Sequence, residues 1–411
     1  MISVRNKFTV LQTMLFSRRL LSLSSRPQYR LSLRSLILGI ETSCDDTGVA
    51  VIDQSGVVLS DLIQSQRSVR MGGVIPTFAM QDHAKNIHSL VSKCLEAASV
   101  THDMLSAVAV SNRPGLKGPL IIGTDYAKLL CLKHRLPMIP VHHMEAHALT
   151  ARMIDKTNKT QFPFLVLLIS GGHCLLALAT DIDQYQLLGS SVDNSPGECL
   201  DKCARMLGLH NMPGLRDVAG GRAVERVAST VNNQTSLEFP VPMRQYRDCR
   251  FSFAGVKATI FDHVTRVRKK ADVDCDEPVP DVGEVCAALQ HCVTKHLCER
   301  VQRGLEYLST EEIPVSSLVV SGGVASNAYI RQCLDTVAGH YDLDTVYPPP
   351  HLCTDNGVMI AWNGLERWRV SRGVVAWDRV LEVGVETRVA LGEDWHTRVE
   401  QQSIKCKWIK L

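Results

Sequence analysis

Acidic residues are absent from the first forty positions of this 411-residue sequence, and Glu41 is the first of them. The same stretch is rich in Ser and Leu, and it carries the basic residues Arg5, Lys7, Arg18, Arg19, Arg26, Arg30 and Arg34. Such a composition is typical of an amphipathic mitochondrial presequence, whereas a secretory signal needs an uninterrupted apolar run. We therefore expect residues 1–35 to be a presequence and the protein to lie in the mitochondrial matrix. The alternative is a disordered basic tail.

The sequence also lacks any Cys-x-x-Cys pair, although it has 14 cysteines. This absence excludes the usual zinc-ribbon and thioredoxin arrangements, and we interpret the cysteines as free thiols. No stretch is long and apolar enough to cross a bilayer, so no membrane partner is expected. A chain of this length, with 45% hydrophobic and 21% charged residues, is predicted to fold into two domains.

Three segments combine an apolar strand with a turn of small polar residues. Residues 36–53 and 164–180 both have the pattern strand, turn, strand, and residues 317–327 repeat the Ser-Gly-Gly of the second turn. Short side chains at such turns let backbone N–H groups approach a phosphate. Because helical segments alternate with these strands, the sequence predicts an α/β fold, and the repeated pattern suggests a duplicated one.

Three histidines and a glutamate fall within the stretch PVHHMEAHAL, residues 140–149. In a helix, His143 and His147 lie one turn apart on the same face, which is the spacing needed for two imidazoles to bind one metal ion. Glu145 falls on the opposite side, and the zinc-peptidase patterns H-E-x-x-H and H-x-x-E-H are both missing. A third ligand must come from elsewhere, and Asp355 is our candidate. The alternative is a pair of ordinary histidines.

Eight motifs resemble, in order and spacing, those of the TsaD family of tRNA threonylcarbamoyladenosine transferases. They are GIETSCDDTGVAV, GGVIPTFAMQDH, VHHMEAHAL, LLISGGHCLLAL, GECLDKCARMLGL, FSFAGVK, VVSGGVASN and CTDNGVMIAW, and together they cover about 36–362. The resemblance implies an α/β fold of the actin, sugar-kinase and Hsp70 (ASKHA) type, with two RNase H-like lobes around a cleft. It places the first lobe at 36–148, the second at 149–345, and a metal-ligand loop, a returning helix and a C-terminal extension at 346–411.

The resemblance also implies the reaction. The family transfers a threonylcarbamoyl group from threonylcarbamoyl-AMP to N6 of the adenine just 3′ of the anticodon, in tRNAs that read codons beginning with A. For this chain the substrate would be mitochondrial tRNA, the donor would come from a YrdC-type synthase, and the protein would be a homodimer. The alternatives are a small-molecule kinase of the same fold, a nucleotide-driven binding protein of the actin or Hsp70 type, and a metallopeptidase.

The site residues are carried over motif by motif. The resemblance assigns one divalent ion per subunit, zinc, iron or magnesium, to His143, His147 and Asp355. It assigns the donor to a larger set of residues: Ile169, Ser170, Gly171, Gly172, His173, Asp201, Gly221, Glu225, Ser326, Asn327 and Thr354. The sequence departs from the family at two motifs: the usual Phe-Asp-Lys is Leu200, Asp201 and Lys202 here, and residues 211–228 replace the usual Pro-Gly-Gly-Pro loop. The family's Gly-x-x-x-Glu pattern is best matched by Gly221 and Glu225, with Gly214 as the rival glycine.

The chemistry of the acceptor suggests catalytic carboxylates. The lone pair of adenine N6 is delocalised into the ring, so a carboxylate near the acyl carbon is expected to accept its proton. Asp45 and Asp46, on the first turn, are the candidates, and the alternative is that they are ordinary turn aspartates.

The acidic balance of the chain beyond the presequence requires a local surface for tRNA. Residues 243–257 combine cations for phosphate contacts with rings that could stack on bases. The cations predicted to bind tRNA are Arg244, Arg247, Arg250 and Lys257, and the rings are Tyr246, Phe251 and Phe253.

Overall fold

The structure is a computed structural model that describes residues 35–65, 74–274 and 277–411. These described residues belong to one compact unit. The predicted presequence lies outside them, apart from Ser35. Within the part of the chain that is described, no helix is long and apolar enough to span a membrane.

The first sheet has five strands in the order β3-β2-β1-β4-β5. Strand β1 pairs antiparallel with β2, which pairs antiparallel with β3, whereas β4 and β5 continue on the other side of β1 in parallel. The strands are β1 (Leu36–Glu41), β2 (Thr47–Asp53), β3 (Val58–Gln64), β4 (Ala107–Arg113) and β5 (Met138–His142). Strands β1, β2 and β4 are buried along nearly their whole length, as expected for strands covered by helices on both faces.

Successive side chains of β1 point to opposite faces of the sheet, and their contacts show which helices cover each face. Leu38 and Ile40 pack with residues of α1 (Pro76–Ala97) and α2 (Lys117–His134) in one apolar cluster. Gly39 points the other way, toward α10 (Gly357–Val370), so closely that a Cβ atom there would lie 2.3 Å from the carbonyl oxygen of Gly357. The first sheet is therefore sandwiched between helices that come from distant parts of the chain.

The second sheet has six strands in the order β10-β9-β6-β7-β8-β11. Strands β6, β7 and β8 are antiparallel neighbours, and β9 and β10 extend the other side of β6 in parallel. Apart from β11, the connection order repeats that of the first sheet. The strands are β6 (Phe164–Ile169), β7 (Cys174–Asp181), β8 (Gln184–Ser190), β9 (Ser317–Ser321), β10 (Asp344–Val346) and β11 (Glu393–Asp394). The prediction of a duplicated α/β fold is thus confirmed.

The remaining helices lie between and after these strands. They are α3 (His143–Ile154), α4 (Pro196–Met206), α5 (Gly220–Ser229), α6 (Ala254–Ala271), α7 (Val282–Thr310), α8 (Ala328–Gly339), α9 (Pro350–Cys353) and α11 (His396–Gln402). Helix α7 is the longest, with 29 residues, and it supplies much of the core of the second half. The described cysteines are free, as predicted.

Residues 384–392, which we call the strap, join the two halves near the C-terminus. At one end the side-chain amide of Asn112 donates to the carbonyl of Gly384, and the N–H of Gly115 donates to the carbonyl of Thr387. At the other end β11 pairs with β8 of the second sheet. The strap therefore runs from the end of β4 to β11, the edge strand next to β8.

Candidate active site

Helix α3 begins directly at the end of β5 and carries the histidine cluster. His142 caps the helix, because its Nδ1 accepts a hydrogen bond from the N–H of Met144 at 3.2 Å. His143 and His147 follow one turn apart, and both side chains are buried. Their ring centroids are 4.7 Å apart with an interplanar angle of 86°. The helical spacing inferred from the sequence is therefore present.

Asp355 reaches this pair from the short segment between α9 and α10. One of its carboxylate oxygens lies 3.1 Å from Nε2 of His147 and 3.5 Å from Nε2 of His143. The three ligand atoms lie within 4.8 Å of one another, and among residues 35–65, 74–274 and 277–411 this is the one group of three or more such side chains. Two imidazole nitrogens and one carboxylate oxygen form a donor set suited to a divalent transition metal.

Close packing of α10 against β2 positions Asp355. A Cβ atom at Gly48 would lie 2.6 Å from the backbone nitrogen of Gly357, so a larger residue would push the two elements apart. Asn356 caps α10, since its side-chain oxygen accepts the N–H of Met359 at 2.9 Å. These contacts place the carboxylate next to the two histidines.

Glu41 and Ser43 support the histidine cluster from behind, and neither was predicted. The Nδ1 atom of His143 lies 3.1 Å from a carboxylate oxygen of Glu41 and 3.0 Å from Oγ of Ser43. A carboxylate that binds the outer nitrogen of a metal-ligating histidine fixes its tautomer and orientation. Here it leaves Nε2 of His143 directed toward Asp355. The sequence did contain a signal for Glu41, because an acidic residue at the end of an otherwise apolar strand is unusual.

The electrostatics of the cluster match its geometry. Burial alone would lower the pKa of His143, but the carboxylates of Glu41 and Asp355 raise it to about 9. Burial would raise the pKa of Asp355, yet His143 and His147 hold it well below its usual range. The site thus pairs concentrated negative charge with imidazoles, and a divalent cation can take the place of a proton there.

A cavity of about 2180 Å³ opens beside this cluster. Its walls include the first turn at 43–46, the second turn at 170–173 and part of the segment that carries Asp355. Ten predicted site residues line it: Asp45, Asp46, His143, Ser170, Gly171, Gly172, His173, Asp201, Thr354 and Asp355. The other predicted donor and metal residues, Ile169, His147, Gly221, Glu225, Ser326 and Asn327, are not among the lining residues.

The second turn presents its glycines to open space. A Cβ atom on Gly171 or Gly172 would meet no described atom within 4 Å, so packing within the protein does not require glycine at either position. The Oγ of Ser170 accepts hydrogen bonds from the N–H groups of Gly172 and His173, at 3.2 and 3.0 Å, and holds the turn in shape. Burial, followed by the positive charge of His143, lowers the pKa of His173 to about 4. This turn therefore offers a neutral, uncrowded wall.

The first turn carries acids instead. Burial raises the pKa of Asp46 to about 6; the charge of Asp45 adds to this effect, and a hydrogen bond with Ser65 opposes it. A carboxylate that titrates near 6 is a better proton acceptor at neutral pH than an ordinary aspartate. Asp46 is therefore better suited than a solvated aspartate to the role expected for this turn.

Several predicted donor-binding residues form a hydrogen-bonded layer at the cavity wall or behind it. A carboxylate oxygen of Asp201 accepts the N–H of Gly221 at 3.0 Å, which ties α4 to the start of α5. Glu225 accepts the N–H of Ala328 at 2.8 Å, which ties α5 to α8. Burial raises the pKa of Asp201, and the hydrogen bond from Gly221 opposes this shift.

Asn327 has both ends of its side chain engaged within the protein. Its oxygen accepts the N–H of Ile330 at 3.0 Å, and its nitrogen donates to Gln290 at 2.8 Å. The hydroxyl of Ser326 donates to the carbonyl of Gly323 at 2.7 Å, and Ile169 is fully buried at the end of β6. Direct donor contacts by these residues remain predictions.

The predicted tRNA-binding segment looks different in the structure. Phe251 and Phe253 are fully buried, with their rings against His296, so the prediction that they stack on bases is wrong. The cause is that the spacing of apolar residues alone does not distinguish a core ring from an exposed one. Tyr246 is the exposed ring of this segment, at 45%.

The four cations of that segment have partners within the protein. Arg244 pairs with Glu299, Arg247 donates to Ser403, Arg250 pairs with Asp248, and Lys257 contacts Asn194 and Glu198. Binding RNA phosphates would compete with these contacts. Their role in tRNA binding remains a prediction.

Glu145 is committed to a structural ion pair. Its carboxylate lies 2.5 Å from Nη2 of Arg367 on α10, and both side chains are buried. Arg367 also lies 3.9 Å from Asp183, in the turn between β7 and β8. Glu145 therefore faces away from the predicted metal ligands, which agrees with its predicted position and removes the general base that a metallopeptidase would need.

Comparison with known proteins identifies relatives over almost the whole chain. The family model described as TsaD, tRNA N6-adenosine threonylcarbamoyltransferase, matches residues 57–362. A protein of Xenopus tropicalis named tRNA N6-adenosine threonylcarbamoyltransferase, mitochondrial, is 42% identical over 92% of this chain and 93% of its own length. The Homo sapiens protein of the same name is 40% identical over 93% and 92%. A solved structure of HypF from T. kodakarensis aligns with a TM-score of 0.51 at 12% identity, covering 85% of this chain and 49% of that one, and so shows similarity of fold alone.

Proposed function

The chain belongs to the TsaD family of tRNA N6-adenosine threonylcarbamoyltransferases, an acyltransferase family of ASKHA fold, and we propose how its cleft performs the reaction. The threonylcarbamoyl group passes from threonylcarbamoyl-AMP to N6 of the adenine just 3′ of the anticodon, in mitochondrial tRNAs that read codons beginning with A. The lobes of the cleft are 36–148 and 149–345, with 346–411 adding the Asp355 loop, the returning helix and the strap.

One divalent ion is proposed at His143, His147 and Asp355. The residues fit such an ion because three ligand atoms converge within 4.8 Å and Glu41 supports the outer nitrogen of His143. Two imidazoles favour zinc or iron over magnesium, which prefers oxygen ligands. When bound, the ion would supply positive charge that neutralises the phosphate of the departing AMP.

The chain's own residues orient the donor. The donor is already a mixed anhydride of a carbamic acid and a phosphate, so the enzyme needs no nucleophile of its own, and positioning provides most of the rate. The open turn at Gly171 and Gly172 lets the anhydride approach the backbone without steric conflict. Asp201 and the layer formed by Glu225 and Asn327 shape the wall on which the adenylate rests.

Asp46 accepts the proton in this proposal. The lone pair of N6 attacks the carbamoyl carbon, the bond from that carbon to the phosphate oxygen breaks, and AMP leaves with the electron pair. The proton lost from N6 passes to the carboxylate of Asp46. Asp45, next to it, helps to keep the pKa of Asp46 high enough for this transfer.

The biological setting follows from the same proposal. The Xenopus tropicalis and Homo sapiens relatives are named as mitochondrial enzymes, and we propose that this protein acts in the mitochondrial matrix. A YrdC-type synthase would supply the donor, and two copies of the chain would form a homodimer. Arg244, Arg247, Arg250 and Lys257 would contribute to tRNA binding after exchanging their internal partners for phosphates.

The observation that carries this proposal is the convergence of His143, His147 and Asp355 beside the open glycine turn. The test is mass spectrometry of nucleosides after incubating unmodified mitochondrial tRNA with threonylcarbamoyl-AMP and the full-length protein. We expect modified adenosine with the wild type and none with His143→Ala. His88→Ala is the matched control, because His88 is exposed and contacts Tyr126 rather than the cleft. Modification by His143→Ala at the wild-type rate would overturn the site.

A further inference from the structure

Three cations of the cavity wall have side chains without a partner among the described residues. Lys117, Arg216 and Arg388 all line the cavity, and all three are exposed. Across the described ranges, none of the three side chains makes a hydrogen bond or an ion pair with another described residue. They differ in this respect from the cations at 244–257, each of which has an internal partner. Unpaired cations in a cleft remain available for an anionic ligand.

Lys117 and Arg388 lie near the metal centre although 271 residues of sequence separate them. The N–H of Leu116 donates to the carbonyl of Ser43 at 2.8 Å, which places Lys117, the first residue of α2, beside the first turn. The N–H of Gly115 donates to the carbonyl of Thr387 at 3.3 Å, which holds the strap, and with it Arg388, against the same loop. Ser43 in turn contacts His143.

Arg216 belongs to the other half of the molecule. It lies in the segment between α4 and α5, next to Leu215, whose side chain is anchored in the core of the second half. The cavity is thus bordered by cations from both halves. A single small ligand is an unsuitable occupant for all three, because drug-sized ligands fill pockets of roughly 300–1,000 Å³, well below the size of this one.

We propose that Lys117, Arg216 and Arg388 bind backbone phosphates of the RNA on either side of the adenine that enters the cleft. The inference rests on the proposed function, since it assumes an RNA substrate. A base that reacts inside a cleft must leave its stack, and its neighbouring phosphates then lie at the cleft mouth. Exposed cations without internal partners can contact them at no cost in broken ion pairs, and the strap gains a role as the carrier of Arg388.

The test measures binding of a labelled anticodon stem-loop RNA to the full-length protein at several salt concentrations. We expect Lys117→Ala and Arg388→Ala each to weaken binding several-fold, and each to reduce the slope of log K against log salt by about one. The double variant should lose roughly the sum of both effects. Lys133→Ala is the matched control, because Lys133 is an exposed lysine in the last turn of the same helix and does not line the cavity.

Two further measurements separate the possible sources of an effect. The affinity for AMP, measured by calorimetry, should be unchanged in Lys117→Ala and in Arg388→Ala. If these variants lose affinity for AMP but not for the RNA, the cations bind the donor phosphate and the RNA assignment is overturned. Unchanged RNA affinity and salt slope in a folded double variant would also overturn it. The proposed function is tested separately by wild-type turnover, which can fail while these binding differences persist.

Discussion

The two halves of the molecule share one strand order but use their first turns for different chemistry. In the first half, the turn at 43–46 carries acids, and Glu41 just before it supports His143, one of the proposed metal ligands. In the second half, the turn at 170–173 carries glycines that face open space. The same backbone plan thus provides a charged wall and an uncrowded wall on one cavity. The comparison indicates that the shared strand order places both turns at the cavity. The side chains of each turn then determine its chemistry, which is acidic in the first half and open in the second.

Removing the proposed metal ligand Asp355, which lies beside the charged wall, should have the largest effect. Asp355→Ala leaves two imidazoles without their shared carboxylate, so we expect metal to be lost and turnover to fall about a thousandfold, because a bound ion contributes several kcal/mol to the transition state. Metal content by mass spectrometry and turnover by nucleoside analysis measure the two effects. Asp103→Ala, an exposed acid away from the cavity, is the control. Full metal occupancy in Asp355→Ala would contradict the assignment.

Changing Glu41, which supports His143, should lower the metal affinity less than changing a proposed metal ligand does. Glu41→Gln keeps the shape of the side chain but removes the charge that holds the proton on Nδ1 of His143, and such changes weaken metal binding about 10–100-fold. Competition with a chromophoric chelator measures this affinity. Glu198→Gln changes a cavity glutamate that pairs with Lys202 instead, and it should bind metal like the wild type. Equal affinities for both variants would show that Glu41 is only a packing residue.

Glycine substitutions compare the two halves directly. Gly48→Ala forces a Cβ atom to within 2.6 Å of the backbone nitrogen of Gly357, so we expect a loss of about 1–3 kcal/mol in the free energy of unfolding. The Cβ atom of Gly171→Ala meets no described atom within 4 Å, so the free energy of unfolding should be unchanged while the affinity for AMP, the adenylate part of the donor, falls. Urea denaturation and calorimetry with AMP measure the two quantities. If both substitutions lower the free energy of unfolding equally, Gly171 is as tightly packed as Gly48, and the contrast between the two positions is wrong.

The smallest expected effect is a pH dependence that belongs to the acidic turn. The pKa of Asp46 is raised to about 6, so its carboxylate is the minor form below that pH, and kcat/KM should rise as pH increases toward 6 and then level off. The sign for stability is opposite, because a raised carboxyl pKa favours the protonated folded state, and that contribution disappears as pH rises through 6. Asp46→Asn should abolish this acid limb. If Asp46→Asn keeps the same rise of kcat/KM between acid pH and pH 6, another group accepts the proton.

Local sequence patterns predicted the residues that depend on short-range geometry. His143 and His147 are set by helical periodicity within five positions, and the paired turns follow from strand patterns in contiguous segments. Asp355 was selected because of its motif, and its position depends on packing of α10 against β2. Periodicity could not have located it, since the contact spans 208 residues.

The features that sequence missed depend on contacts between distant segments. Glu41 meets His143 across 102 residues because β1 ends where α3 begins. The strap has no periodicity, and single backbone hydrogen bonds to Asn112 and Gly115 determine its course. The error at Phe251 and Phe253 has a related cause, since an aromatic residue beside arginines suits a nucleic-acid surface and a protein core equally well.

The most direct test of the metal centre is X-ray absorption spectroscopy of the protein loaded with zinc. The account predicts two nitrogen ligands and at least one oxygen ligand at about 2.0–2.2 Å, with one nitrogen lost in His147→Ala and the carboxylate oxygen lost in Asp355→Ala. A spectrum that is unchanged by both substitutions, or one dominated by sulfur ligands at about 2.3 Å, would contradict it.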